Sequence, residues 1–128
     1  MRAAVPLERV RSICCALPEV VERLSHGQPT FFVRGKTTFV MFLDDHHGDG
    51  RLALWCAAPP GVQAQLVEQE PERFFRPPYV GGRGWIGVRL DRQLDWDEVA
   101  EICADAYRQV APKRLAAQLD GRHHPEEG

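Results

Sequence analysis

The sequence predicts an α+β domain: a two-layer sandwich of order α-β(3)-α-β(2)-α, with helices packed on a mostly antiparallel sheet. Two observations carry this. Runs rich in β-branched and aromatic residues follow one another through connections too short for a parallel crossover. Segments with a helical repeat of apolar residues stand before, between and after those runs. At 128 residues the chain suits one domain, placed at 1–119, with 120–128 expected to be a disordered tail. It has no internal repeat and no interdomain linker.

The first helix is predicted from about Pro6 to Ala16. Proline suits the first helical position, Val10, Ile13, Cys14 and Leu17 follow the helical spacing, and Pro18 stops the run. Val20 to Leu24 leads into His26-Gly27-Gln28-Pro29, read as a turn. Thr30–Val33 and Thr37–Leu43 flank Arg34-Gly35-Lys36 as a hairpin. A polar turn over 44–50 precedes a third strand, Arg51 to Ala57, with Leu52, Leu54 and Cys56 on one face and Trp55 on the other. Pro59-Pro60-Gly61 opens a second helix that runs to about Gln69 and is ended by Pro71.

Arg73 to Leu90 reads as two strands joined by a tight, exposed connection with a Gly81-Gly82-Arg83-Gly84 tip. The closing helix is the best-defined element. Asp95 is its N-cap, Leu94 can staple onto Val99, and Trp96, Val99, Ile102, Cys103, Ala106, Tyr107 and Val110 line one face. Pro112 breaks it, and a short helical turn extends to Leu119.

Composition excludes several classes. No apolar run approaches the ~20 residues of a membrane span, and Met1 to Pro6 lacks the apolar stretch of a signal peptide, so a cytoplasmic location is expected. The cysteines Cys14, Cys15, Cys56 and Cys103 form no Cys-x-x-Cys pair and lie within apolar periodic segments, so they are expected to be reduced core residues.

The motifs that invite chemistry are weak. Asp44-Asp45-His46-His47-Gly48-Asp49 offers metal-ligand types, but neighbours in a strand alternate faces and the spacing is not that of an EF-hand. His26 has no paired nucleophile, and no G-x-S-x-G elbow or phosphate loop is present. The expectation is a non-enzyme without metal or cofactor.

Charge supplies the functional signal. From Arg73 to Arg92 there are five arginines against one acid, Asp91, in a chain of net charge −2. Arg73, Arg76, Arg83 and Arg89 are the candidate anion or nucleic-acid contacts, with Arg83 reaching a phosphate from the glycine-rich tip. A sequence pI of about 6.2, against the pI above ~9 usual for nucleic-acid domains, and the acids Asp97, Glu98, Glu101 and Asp105 oppose that reading. The alternative is an interaction module that binds a protein partner or a small anionic ligand in a groove between helix and sheet, lined by Trp55, Tyr79 and Trp85.

His26-Gly27-Gln28-Pro29-Thr30-Phe31, Gly35-Lys36 with Phe39, Pro78-Tyr79 ahead of Gly84-Trp85-Ile86, and Ala106-Tyr107 with Pro112-Lys113-Arg114-Leu115 follow one another in a specific order and spacing. By these motifs residues 6–115 resemble the family named for the bacterial proteins MmcQ and YjbR. It implies a frataxin-like or secretion-chaperone-like fold of α-β(3)-α-β(2)-α type. It also implies a DNA-binding label, because the sheet and hairpins look like a double wing. It implies no enzymatic chemistry.

Overall fold

The structure is a computed structural model that describes residues 4–122. Helix α1 (Ala4–Cys15) is followed by strands β1 (Val20–Ser25), β2 (Gln28–Val33), β3 (Thr37–Asp44) and β4 (Leu52–Cys56). Helix α2 (Val62–Gln69), strands β5 (Phe74–Phe75) and β6 (Ile86–Arg89), and helices α3 (Trp96–Val110) and α4 (Lys113–Arg122) complete the chain. The strands form one six-stranded antiparallel sheet of order β1-β2-β3-β4-β6-β5. The class is α+β, with one more strand in the first run than the sequence pattern predicts.

That added strand is β1. It pairs with β2 from Val20↔Val33 to Ser25↔Gln28, so the predicted turn shrinks to His26-Gly27 while Gln28 and Pro29 join β2. Both turn residues have positive φ, 52° and 79°, which matches the primed two-residue turns of right-twisted hairpins. As an edge strand β1 buries no residue completely, so it lacks the apolar run that marks an inner strand. Its Glu22 turns toward α1 instead, accepting hydrogen bonds from Arg11 Nε at 2.6 Å and Nη2 at 2.8 Å.

One face of the sheet carries the helices. Val10 and Cys14 from α1, and Val99, Cys103, Ala106 and Tyr107 from α3, pack there against Phe31, Val40, Leu54, Cys56 and Ile86. Pairing skips from Phe31↔Val40 to Phe32↔Thr38, a bulge at Phe39 that lets adjacent residues share a face. Phe39 meets Tyr107 edge-to-face at 5.7 Å. The Tyr107 hydroxyl donates to the Pro18 carbonyl at 2.8 Å, tying α3 to the end of α1. Cys14, Cys56 and Cys103 are buried free thiols, whereas Cys15 is exposed. Cys15 is thus not a core residue, because one step along a helix rotates a side chain by about 100°.

The Arg73–Leu90 segment departs most from expectation. Strand β5 has only two residues, since Pro77 and Pro78 offer no N–H to continue the ladder. Residues 76–85 do not form a tight exposed tip. They fold into a loop containing a 3-10 turn over Val80–Arg83, in which Gly81 is buried. Gln63 of α2 anchors this loop by donating from Nε2 to the Gly81 carbonyl at 2.8 Å and to the Trp85 carbonyl.

Asp95 caps α3 by accepting from Asp97 N–H at 3.0 Å and Glu98 N–H at 3.4 Å. The last helix continues through Asp120 to Arg122, beyond the turn expected to end at Leu119. Residues 123–128 of the expected tail lie outside the described residues.

Candidate functional site

Strand alternation decides what the second face of the sheet presents. Met41, Trp55 and Gly87 are cross-strand neighbours and point away from α1 and α3. With Leu43 they lie between two loops, the 44–51 connection and the 76–85 loop. Between those loops runs a groove of about 710 Å³, lined by Met41, Leu43 and Trp55 with His46, His47, Tyr79 and Val80. His26, Gln28 and Asp45 complete it. None of these residues belongs to α1–α4, so the groove lies on the open sheet face and not between helix and sheet.

Trp55 is 3% exposed and lies beneath two rings. His46 meets it at 4.8 Å between centroids and an interplanar angle of 67°. Tyr79 meets it at 6.5 Å, and His46 and Tyr79 are 6.1 Å apart at 79°. These separations fall in the range of favourable tilted and edge-to-face pairs. Burial, reinforced by the neighbouring His47, pushes the His46 imidazole below its ordinary value of 6.5, so at neutral pH it offers an uncharged ring.

Tyr79 has φ 66° and ψ −63°. The Val80 N–H donates to the Pro78 carbonyl at 2.7 Å, closing the rare γ-turn with positive φ, a strained backbone for a residue with a side chain. The ring so presented is 78% exposed. Trp85 lies elsewhere. It is 5% exposed, does not line the groove, and has the Arg83 guanidinium 5.2 Å from its ring centroid.

The four candidate arginines divide in two. Arg73 pairs with Glu70 at 2.6 Å and with Glu98 of α3, and it shares a shallow hollow with Asp95, Asp97 and Glu101. Arg89 grips Asp91 with both Nε at 2.9 Å and Nη2 at 3.0 Å, a two-pronged pair. That contact holds the Asp91 carboxyl below its ordinary value, with a further hydrogen bond from Leu52 N–H. Arg76 and Arg83 are exposed, and among the described residues neither has an acid within salt-bridge distance. Arg76 lies across Gly81, where a Cβ would come 2.7 Å from its Cγ.

Of the residues singled out from sequence, the structure brings Trp55 and Tyr79 together and separates Trp85 and the arginines from them. His46, Met41 and Leu43 were not among the groove candidates. The signal for Met41 and Leu43 was period-two alternation, since they share the phase that sets Trp55 opposite Leu54 and Cys56, whereas His46 sits in a loop turn with no such signal. Among the described residues no group of three or more histidines, cysteines or acids is placed to hold a metal ion.

The fold and the groove define an α+β domain whose candidate site is built on one sheet face by two loops. The chain belongs to the YjbR family, whose model matches residues 15–109. It is similar in fold to Deinococcus radiodurans protein DR2400, which has a DUF419 family domain. The TM-score is 0.70 at 20% identity, over 89% of this chain and 87% of that one. No curated protein matches the chain. Among the described residues no helix is long and apolar enough to cross a membrane.

Proposed function

We propose that this protein is a non-catalytic binding domain whose ligand site is the open-face groove over Trp55. The supporting observation is Tyr79: a γ-turn worth about 1–3 kcal/mol of strain is kept where it presents an exposed ring beside His46 and Trp55. Relaxing that turn would withdraw the ring from the groove wall, and functional residues concentrate on loops carried by a rigid scaffold. The lining has imidazoles and one carboxylate but no serine, cysteine or lysine nucleophile.

Ligand-observed NMR with a set of small aromatic and amphipathic compounds tests this. Binders are expected to shift the Trp55 indole and Met41 methyl signals, and to lose roughly tenfold or more in affinity with Tyr79→Ala, in line with the loss of an aromatic anchor. Binders that map to another surface, or that bind Tyr79→Ala equally well, would sink the reading.

Nucleic-acid association is a second reading and now rests on Arg76 and Arg83, the two candidate arginines without an acid partner among the described residues. Two cations correspond to a salt slope of only about −1.8, at roughly −0.9 per phosphate. The interleaving of Arg73 with the α3 acids works against a larger footprint. Titration of a short duplex and a single strand at low salt decides it, with no binding, or unchanged binding by Arg76→Ala/Arg83→Ala, as the defeating result.

A further inference from the structure

We infer that the groove takes a small molecule carrying an alkylammonium or quaternary ammonium group on an apolar body, with the cation against the Tyr79 and His46 rings and Asp45 as its counter-charge. This rests on the binding reading above and names the ligand class.

The chemistry of the lining carries it. Apart from its imidazoles the groove has a single ionisable residue of fixed sign, Asp45, and neither lysine nor arginine. The arginines of the two bounding loops lie outside the lining, Arg83 over Trp85, Arg76 across Gly81 and Arg51 over Phe75. An anion entering the groove would find N–H donors on the imidazoles and on Gln28, but no fixed positive charge, and it would meet a carboxylate and the negative faces of the Trp55 and Tyr79 rings, both repulsive. A cation meets the reverse, since ring faces attract ammonium groups. Asp45 Oδ1 accepts from the Gly50 N–H at 2.7 Å. Among the described residues no donor is recorded within hydrogen-bond distance of Oδ2. The apolar body of the ligand has Met41, Leu43 and Val80 to lie on. A volume of about 710 Å³ falls inside the ~300–1,000 Å³ of small-molecule sites.

The test uses three benzyl compounds on the full chain: benzyltrimethylammonium, its uncharged carbon isostere neopentylbenzene, and the anion phenylacetate. Affinity is read by NMR titration at low ionic strength and mapped on the Met41 methyl and Trp55 indole signals. Benzyltrimethylammonium is expected to bind there about 2- to 30-fold more tightly than neopentylbenzene, the range of a cation–π contact, and phenylacetate more weakly than both. Asp45→Asn should cost the ammonium probe about two- to fivefold, as for a partly exposed ion pair, and leave neopentylbenzene unchanged. That variant retains an acceptor for Gly50, and asparagine tolerates the left-handed backbone at φ 58°.

Equal or tighter binding of neopentylbenzene or phenylacetate at the groove overturns the ammonium assignment while leaving the binding domain intact. Failure of all three to shift groove signals overturns both. A trimethyl-lysine peptide that outcompetes benzyltrimethylammonium overturns the small-molecule assignment.

Discussion

The ring of Phe75 on β5 rests on the backbone of Gly87 on β6: a Cβ at Gly87 would stand 2.4 Å from both Cε2 and Cζ of that ring. The Arg51 guanidinium lies over the same ring at 4.0 Å. Glycine at 87 is thus what allows a two-residue edge strand to close this end of the open face. Gly87→Ala is expected to lower unfolding free energy by about 1–3 kcal/mol, the usual cost of overpacking, in urea denaturation. Pairing it with Phe75→Leu should restore part of the loss, because a smaller and more flexible side chain can yield.

Tyr79 separates strain from function. Tyr79→Gly removes both the ring and the Cβ that makes positive φ costly, whereas Tyr79→Ala removes only the ring. Thermal or urea unfolding should therefore find the glycine variant more stable than the alanine variant by about 1 kcal/mol. Both should lose groove binding. An alanine variant as stable as the glycine one would show that residue 79 does not hold this γ-turn.

The arginines should differ in what they do for stability. Arg73→Ala removes ion pairs to Glu70 and Glu98 and is expected to cost about 1 kcal/mol, the upper range for partly exposed pairs. Arg83→Ala and Arg76→Ala break no ion pair among the described residues and should stay within about 0.5 kcal/mol of wild type. Chemical denaturation of the three single variants checks this ordering.

Asp91 sets an acid limit. Its folded carboxyl, hydrogen-bonded by Arg89, holds a proton less readily than the ordinary aspartate at 3.8, so acid drives protons preferentially onto the unfolded chain. The stabilisation is complete above that ordinary value and is lost as pH falls through the lower folded one. Asp91→Asn should be less stable than wild type at pH 7, with the gap closing below about pH 4. A gap that does not narrow as pH falls below about 4 would assign the effect to packing instead of charge.

How much of this could be read from the chain varied with the kind of signal. Helix α3 was readable because Asp95, the apolar stripe from Val99 to Tyr107 and Pro112 all agree locally. Strand β1 was not, because an edge strand needs no buried run and Pro29 hid the extent of β2. The basic segment misled for a related reason. Local charge says nothing about partners distant in sequence, and Glu98 lies 25 residues from the arginine it neutralises. Trp55 and Tyr79 could be singled out, with Trp85, as aromatics lining a groove, though one placed between helix and sheet. That Trp85 turns away while His46 joins them depends on loop folding, where no periodicity operates.

What the sequence by itself determined is the class and the pairing logic. Strand-forming runs with short connections dictate an antiparallel sheet, and period-two alternation gives β4 two different apolar faces. The tertiary structure alone decided which face carries the groove. Helices α1 and α3 cover one side through contacts such as Tyr107 with Pro18, and this leaves Trp55 to the loops. Those loops are shaped by a strained backbone at Tyr79 and by a glutamine from α2. Such long-range constraints leave no local repeat in the chain, and so they become visible only once it is folded.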